Sequence, residues 1–417
     1  MGKTFAEKVL GKKAGKDVVT GEIVEIVPDF AMSHDNTAAI AKTFEKIGVA
    51  QLYDPNLHVI ILDHAAPAPN AKFAENHKEI REFVRKHGIP NFFDINRGIC
   101  HQVMVEEGFA LPGLVVVGSD SHSTTYGAVG AFATGIGRSE MAVIMATGRI
   151  WLRVPETMKI VVQGTPPEGV SAKDIMLKII GDLGADAATY MAVEFTGDTI
   201  ERMTLASRMV LSNMAVEMGA KIGYIPPDDT TLEYVRPRAR KEFEVIHSDP
   251  DATYAETHTF DVSDLEPQVA CPHTVDNVKP ISEVKGTKIH QVFFGSCTNA
   301  RLEDFEVVAK ALKGRRVHPD VRMLVFPASQ QVYLEALKKG YLQTILEAGA
   351  IVMNANCGPC MGNHAGIPAS GEVSLSTSNR NFRGRQGNVE AEVYLCSPLT
   401  AAASAIAGEI ADFRDVL

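Results

Sequence analysis

At 417 residues, with 45% hydrophobic and 22% charged residues, the chain has apolar material for about two or three domains with sizeable cores. Its formal net charge of −10 speaks against the basic surface of a nucleic-acid binder and against a polybasic membrane anchor. No run approaches the ~18 apolar residues of a membrane helix, and six cysteines in so long a chain fit a reducing cytoplasm better than a disulfide scaffold.

Met1–Lys8 lacks the apolar core of a secretory signal and reads as the start of an amphipathic helix. From there a unit recurs: a short apolar strand, a polar elbow, then a helix-like segment. His58–Leu62 leads into Asp63-His64, and Leu114–Gly118 into Ser119-Asp120-Ser121-His122. Trp151–Thr157 reads as an exit from this first unit. Met158–Val162 and Thr189–Phe195 read as strands, Asp174–Leu183 and Arg202–Met218 as helices. Residues 226–285, rich in Pro, Asp and Thr, have little pattern and read as the end of a second domain plus a linker. Gln291–Phe294 leads into Gly295-Ser296-Cys297, Arg322–Phe326 into Pro327-Ala328-Ser329, and Ala350–Met353 into Asn356-Cys357-Gly358-Pro359-Cys360. Val373–Leu375 precedes the Ser376–Arg385 loop, and Glu392–Leu395 precedes a small-residue helix from Thr400 to Gly408. No internal repeat or low-complexity tract interrupts the pattern. The alternation predicts an α/β protein with mostly parallel sheets, in domains spanning 1–155, 156–285 and 286–417. Reactive residue types sit just past the strands, where open α/β sheets bind ligands.

Three groups of residues carry chemistry. Cys297, Cys357 and Cys360 lie in two similar elbows and form a candidate metal site with three thiolates. Structural metal sites take four protein ligands, so a set of three leaves one position for water or substrate. His364 is a candidate fourth ligand of a zinc site, so composition alone does not choose between iron–sulfur and zinc; Cys100, Cys271 and Cys396 read as core cysteines. His64 follows Asp63, His122 shares an elbow with Asp120, and His101 lies in Gly98-Ile99-Cys100-His101. With Glu217 as a further carboxylate, these form a candidate proton-transfer site. The remaining histidines, His58 and His77 among them, read as surface or packing residues. Arg380, Arg383 and Arg385 follow a strand and suit an anionic substrate. Gly127–Gly137 matches neither a dinucleotide fingerprint nor a P-loop and reads as close backbone packing.

Taken together and in order, Asp63-His64, Gly98–His101, Gly118–His122, Asn213–Glu217, Gly295–Asn299, Cys357–Cys360 and Ser378–Arg385 resemble the aconitase superfamily over almost the whole chain. Within it, the chain looks like a large subunit of the prokaryotic isopropylmalate dehydratase/homoaconitase type. The resemblance implies three α/β/α domains around a [4Fe–4S] cluster, with Cys297, Cys357 and Cys360 each on one iron and the fourth iron open. It further implies that His64, backed by Asp63, protonates the leaving hydroxyl. His101 with Asp120 and His122 with Glu217 would form His–carboxylate pairs, Asn213 and Asn379 would bond the cluster or its ligands, and Arg380 and Arg385 would hold substrate carboxylate. The implied reaction is dehydration and rehydration of a substituted malate, as in the isomerisation of 2- to 3-isopropylmalate for leucine biosynthesis. Homoaconitate and dimethylmalate are the neighbouring substrates.

Two departures from full-length aconitases matter. Where those carry Gln-Asp, this chain reads Ser33-His34-Asp35-Asn36, which places His34, with Ser121, at the substrate rim. Aconitases also continue into a swivelling domain that carries the serine base, so the resemblance assigns that domain to a separate small subunit, in a heterodimer or heterotetramer. A zinc-bound non-enzymatic protein and an RNA-binding apo-form are the remote alternatives, the latter opposed by the acidic charge.

Overall fold

The computed structural model describes residues 2–417. Of the segment expected to open the chain as a helix, Met1 lies outside the described residues; the helix itself is Phe5–Ala14, started by a Thr4/Glu7 capping box.

Three parallel or mostly parallel sheets follow, each flanked by helices, as the strand–elbow–helix alternation predicts. The first is five-stranded, in the order Asn91–Phe93, His58–Ile61, Phe30–Ser33, Val115–Gly118, Phe132–Gly135, all parallel. The expected exit at Trp151 is a strand, Ile150–Arg153, which pairs antiparallel with Ile23–Ile26 in a separate two-stranded ribbon. The second sheet is four-stranded and parallel, in the order Ile222–Tyr224, Ala192–Thr196, Thr157–Gln163, Glu256–Asp261. The third has seven strands: Val278–Pro280, Gln268–Ala270, Glu392–Leu395, Val373–Ser376, Gln291–Phe294, Arg322–Val325 and Ile351–Val352, the first two antiparallel at one edge.

Residues 226–285 thus hold more structure than their sequence suggests. Glu256–Asp261 is an edge strand with a largely exposed face, so its composition is polar and hides the pairing. The chain already enters the third sheet at Gln268. The helix expected over Arg202–Met218 runs from Leu205 to Met214, because Thr204 caps its start by accepting a hydrogen bond from Ser207 N at 3.3 Å. It tightens into a 3₁₀ turn over Ala215–Met218, closed by Gly219 at φ 82°. That turn carries Glu217.

Gly127 shows why the glycine run packs so closely: a Cβ there would lie 1.9 Å from the Gly223 carbonyl oxygen, so the strand ending at Tyr224 rests directly on the elbow that holds His122. The first and third sheets also meet along backbone. Ile99 N donates to Ala328 O at 2.9 Å, and Gly98 pairs with Ser329. Ile99, Phe293, Cys297, Leu324, Phe326, Cys357 and Cys360 form one small buried cluster, an apolar floor beneath the cysteines.

Candidate active site

The strand ends of the first and third sheets, with the helix Leu205–Met214 and the 3₁₀ turn after it beside the second, deliver side chains to one buried region. The Asp63-His64 turn leaves the strand His58–Ile61, and its two side chains meet, with His64 Nδ1 and Asp63 Oδ1 2.6 Å apart. Asp63 Oδ2 also accepts from Cys100 N at 2.7 Å, which ties the turn to the helix bearing His101. Asp120, at the end of Val115–Gly118, lies 2.8 Å from His101 Nε2, 3.5 Å from His64 Nε2 and 4.0 Å from His34 Nε2. His122 Nε2 lies 2.8 Å from Glu217 Oε1, and Arg380 Nε donates to both Glu217 oxygens at 2.8 and 3.0 Å. The two His–carboxylate pairs expected from the sequence are therefore formed, and Asp120 serves as a hub for several imidazoles.

The charges are tuned accordingly. Burial opposes ionisation of Asp120, but hydrogen bonds to His101, His122 and His64 hold it well below the usual carboxylate range. Burial would depress His64, yet the charges of Asp63 and Cys357 and the bonds to Asp120 and Asp63 raise it well above the usual imidazole value. His34, stacked on His64 with centroids 4.1 Å apart, moves the other way, to about 4, through burial and the neighbouring cation. The two imidazoles of the stacked pair are thus shifted in opposite directions. Glu217 is lowered: burial opposes the shift, and His122 and Arg380 outweigh it.

The three cysteines are buried, and each faces polar groups of the site. Cys297 Sγ accepts from Asn213 Nδ2 at 3.1 Å and from Asn379 Nδ2 at 3.4 Å. Cys360 Sγ accepts from Arg385 at 3.5 Å and lies 3.9 Å from Asn379 Oδ1, while Cys357 Sγ lies 4.0 Å from Asp63 Oδ2. The loop around Cys297 is conformationally demanding: Ser296 and Ala300 have φ of 87° and 83°. Burial pushes the Cys297 thiol up to about 12, so the bare pocket favours thiols, and a cationic metal group is what would ionise them. N–H donors aimed at sulfur are the outer support that a thiolate-ligated group requires, so the residues present fit one. His364 does not join them; its Nε2 lies 2.9 Å from the Pro67 carbonyl oxygen.

Other sequence expectations sort as follows. Ser121 lies beside His122, its Oγ 3.4 Å from Nδ1. Arg385 reaches the cysteines, whereas Arg383 is exposed and contacts His273 at 3.2 Å. Cys100, Cys271 and Cys396 are buried packing residues, as expected. Of the two settings expected for His77, surface or packing, it takes the buried one, and its Nε2 also lies 2.7 Å from Asp35 Oδ1. Within Ser33-His34-Asp35-Asn36, Asp35 does more than its sequence setting suggests. Its carboxylate accepts from the backbone N–H groups of Asp63, His64 and Ala65 at 3.0, 2.8 and 3.2 Å, and so builds the turn that carries the Asp63–His64 pair. Arg301 was also missed. Fully buried, it donates to Cys297 O and Thr298 O at 2.6 Å and to Gln102 Oε1 at 2.9 Å, joining the cysteine loop to the His101 helix. The spacing of Asp35 ahead of the Asp63 elbow and a lone arginine four residues after Cys297 were the only signals, and neither is a motif.

Three helix-flanked sheets that gather buried His–carboxylate pairs beside three cysteines make a site suited to proton transfer at a thiolate-held metal group. The model of the aconitase family (aconitate hydratase) matches residues 7–408, so the chain belongs to that family, which implies an iron–sulfur cluster. It is 54% identical over 418 residues to the 3-isopropylmalate dehydratase large subunit 1 of Methanopyrus kandleri, covering 100% of both chains. It is 53% identical to a probable methanogen homoaconitase large subunit of Methanothermobacter thermautotrophicus, covering 97% of this chain and 96% of that one. Aconitase X of Thermococcus kodakaraensis, in its holo-form, shares the fold at a TM-score of 0.52 and 14% identity, covering 90% of this chain and 88% of that one.

Proposed function

We propose that the chain is the cluster-bearing large subunit of a hydro-lyase that isomerises 2-isopropylmalate to 3-isopropylmalate by dehydration and rehydration. The observation that carries this reading is the meeting of a raised, Asp63-backed His64 and the Asp120 hub with three buried cysteines. Cys297, Cys357 and Cys360 would hold a [4Fe–4S] cluster, one iron each, leaving one iron without a cysteine; when bound, it supplies a Lewis acid for a hydroxyl and a carboxylate. A single tetrahedral zinc would need sulfurs about 3.8 Å apart. Among the described residues, the one group of three or more His, Cys, Asp or Glu whose ligand atoms all lie within 4.8 Å is His34, Asp35, Asp63 and His64, which supports the wider, multi-iron reading for the cysteines.

In this reading His64, protonated and oriented by Asp63, hands its Nε2 proton to the departing hydroxyl and takes one back from water in the return step. Asp120 stays anionic and keeps His64 and His101 in register. His122 and Glu217 fix Arg380, which with Arg385 binds substrate carboxylate. Ser121 and His34 line the substrate rim, and Asn213 and Asn379 donate to the ligand sulfurs. The base that takes the carbon-bound proton would come from a separate small subunit, as the names of the relatives suggest. The chain would act in the cytoplasm; among the described residues no helix is long and apolar enough to cross a membrane. The domain limits 1–155, 156–285 and 286–417 are proposed with the proviso that strands from Gln268 onward pair in the third sheet.

A homoaconitase activity is the second reading, favoured by the 53% identical relative of that name. Co-expression with the small subunit, anaerobic cluster assembly and turnover of 2-isopropylmalate against homoaconitate separate the two. Turnover of homoaconitate alone would replace the first reading with the second, and turnover of neither would reject both.

A further inference from the structure

Lys173 is a buried cation without a carboxylate partner. It has 0% relative exposure and sits at the second position of the helix Ala172–Leu183. A cation is poorly placed there, because the N-terminal end of a helix is the positive end of its dipole. The neighbouring Asp174 does not compensate: its oxygens accept from Ser171 N and Oγ at 2.8 Å and from Gln268 N at 3.0 Å. Among the described residues, no carboxylate lies within ion-pair distance of Nζ, which instead donates to Thr377 O at 3.0 Å and Ser378 O at 2.5 Å.

Those two carbonyls belong to the segment that holds the cysteine site. Thr377 Oγ1 donates to Gly295 O and accepts from Gly295 N, both at 3.0 Å, two residues before Cys297. Asn379, directly after Ser378, donates to Cys297 Sγ, and Arg380 follows it onto Glu217. Burying an ammonium without an opposite charge is costly, and two carbonyl dipoles do not neutralise it. Burial lowers Lys173 to about 8, with the charges of Cys396, Asp174, Cys297 and Cys360 acting the other way. Cys396 is itself pushed up by burial and stays a thiol. Apart from Asp174, whose oxygens are taken by Ser171 and Gln268, the remaining groups are Cys297 and Cys360, which are anionic only when a metal group holds them as thiolates.

We propose that Lys173 is a positioning residue whose buried charge is the counter-ion of the thiolate-ligated cluster, and that it also clamps the Thr377–Ser378 carbonyls so that Asn379 and Arg380 face the site. This rests on the cysteine assignment of the proposed function. It predicts that the charge matters to the loaded protein and not to the cluster-free fold.

The test compares K173R, K173Q and K173M with wild type, each assembled anaerobically. The readouts are iron and sulfide per chain, the rate of cluster loss to a chelator, the midpoint potential of the bound cluster, and thermal melting of the cluster-free chain. K173Q and K173M are expected to fold without the cluster, to lose it about tenfold faster, equivalent to about 1.4 kcal/mol, and to shift the potential to more negative values, because removing a nearby cation disfavours the reduced, more anionic state. K173R should stay near wild type in potential. The proposal is overturned if K173M keeps wild-type retention and potential, if K173R shifts like K173M, or if neither neutral variant folds without the cluster, which would assign the cation to the bare fold. A wild-type chain that takes up no iron and sulfide would instead reject the functional reading, a distinguishable result.

Discussion

Replacing Asp35 by Asn tests whether the Asp63-His64 turn is built by a buried carboxylate. In the wild-type chain one carboxylate receives four donors: the N–H groups of Asp63, His64 and Ala65 and the His77 ring. An amide has a single acceptor oxygen. If that oxygen stays on the Asp63 and His64 N–H groups, the NH₂ group faces the Ala65 N–H and leaves it unpaired. His77 must then change tautomer to accept from the amide. An orphaned buried donor costs about 1–3 kcal/mol, and each bond that loses its charge assistance gives up about 1 kcal/mol more. D35N should therefore lose roughly 3–5 kcal/mol of unfolding free energy. Burial opposes ionisation of Asp35, but the His77 bond, the neighbouring charges of His64 and His34, and the His64 N–H bond hold its pKa well below the ordinary value. A lowered folded pKa means that the advantage of carboxylate over amide is complete above the unfolded value of about 3.9 and is lost as pH falls through the folded value. Urea unfolding of both proteins at pH 7 and at successively lower pH measures this. The gap should be full at neutrality and narrow only in acid. A D35N chain within about 1 kcal/mol of wild type at pH 7, with unchanged turnover, would refute the role given to Asp35.

Three further substitutions probe other parts of the site. E217Q keeps size and removes the charge shared by His122 and Arg380; kcat should fall about 10²–10⁴-fold with full cluster content, and a kcat within about threefold of wild type would remove the pair from the mechanism. C357S should retain the far-UV circular dichroism of the fold and lose the cluster, since serine is a poor iron ligand here; a complete [4Fe–4S] spectrum would reject that ligand. Gly98 has φ 131°, and a Cβ there would lie 2.5 Å from Ser329 Cα and 2.7 Å from Ala328 O. Because those atoms are backbone, G98A should separate the first and third sheets and cost about 2–4 kcal/mol in thermal or urea unfolding; an unchanged melting temperature would show that the contact yields easily.

The parts of the site legible in the sequence were those whose residue types are unusual in their setting. Two cysteine elbows after apolar strands, a His-Asp elbow and an arginine-rich loop each announce chemistry. Strand existence was readable wherever a run is buried on both faces, as in Gln291–Phe294. The edge strand Glu256–Asp261 was not, because half-exposed residues leave it polar. Asp35, His77, Arg301 and Lys173 escaped for a common reason. Each acts by accepting from or donating to groups of the turns that carry the site residues, across separations of 28 residues for Asp35 with Asp63 and 204 for Lys173 with Thr377. Only the fold reveals such partners. His34 stands out in Ser33-His34-Asp35-Asn36, but its lowered pKa depends on burial and on stacking against His64, which no local pattern encodes.

The central claim is that the buried cysteines and the His64–Asp120 constellation together make a dehydratase for a substituted malate. The most direct measurement is alkene formation from 2-isopropylmalate, followed by ultraviolet absorbance, by the anaerobically assembled chain with its small subunit. The account predicts about four irons and four sulfides per chain, steady turnover, and loss of at least about 10²-fold in kcat for H64A. A colourless chain holding one zinc and no sulfide, or turnover that H64A leaves intact, would contradict it.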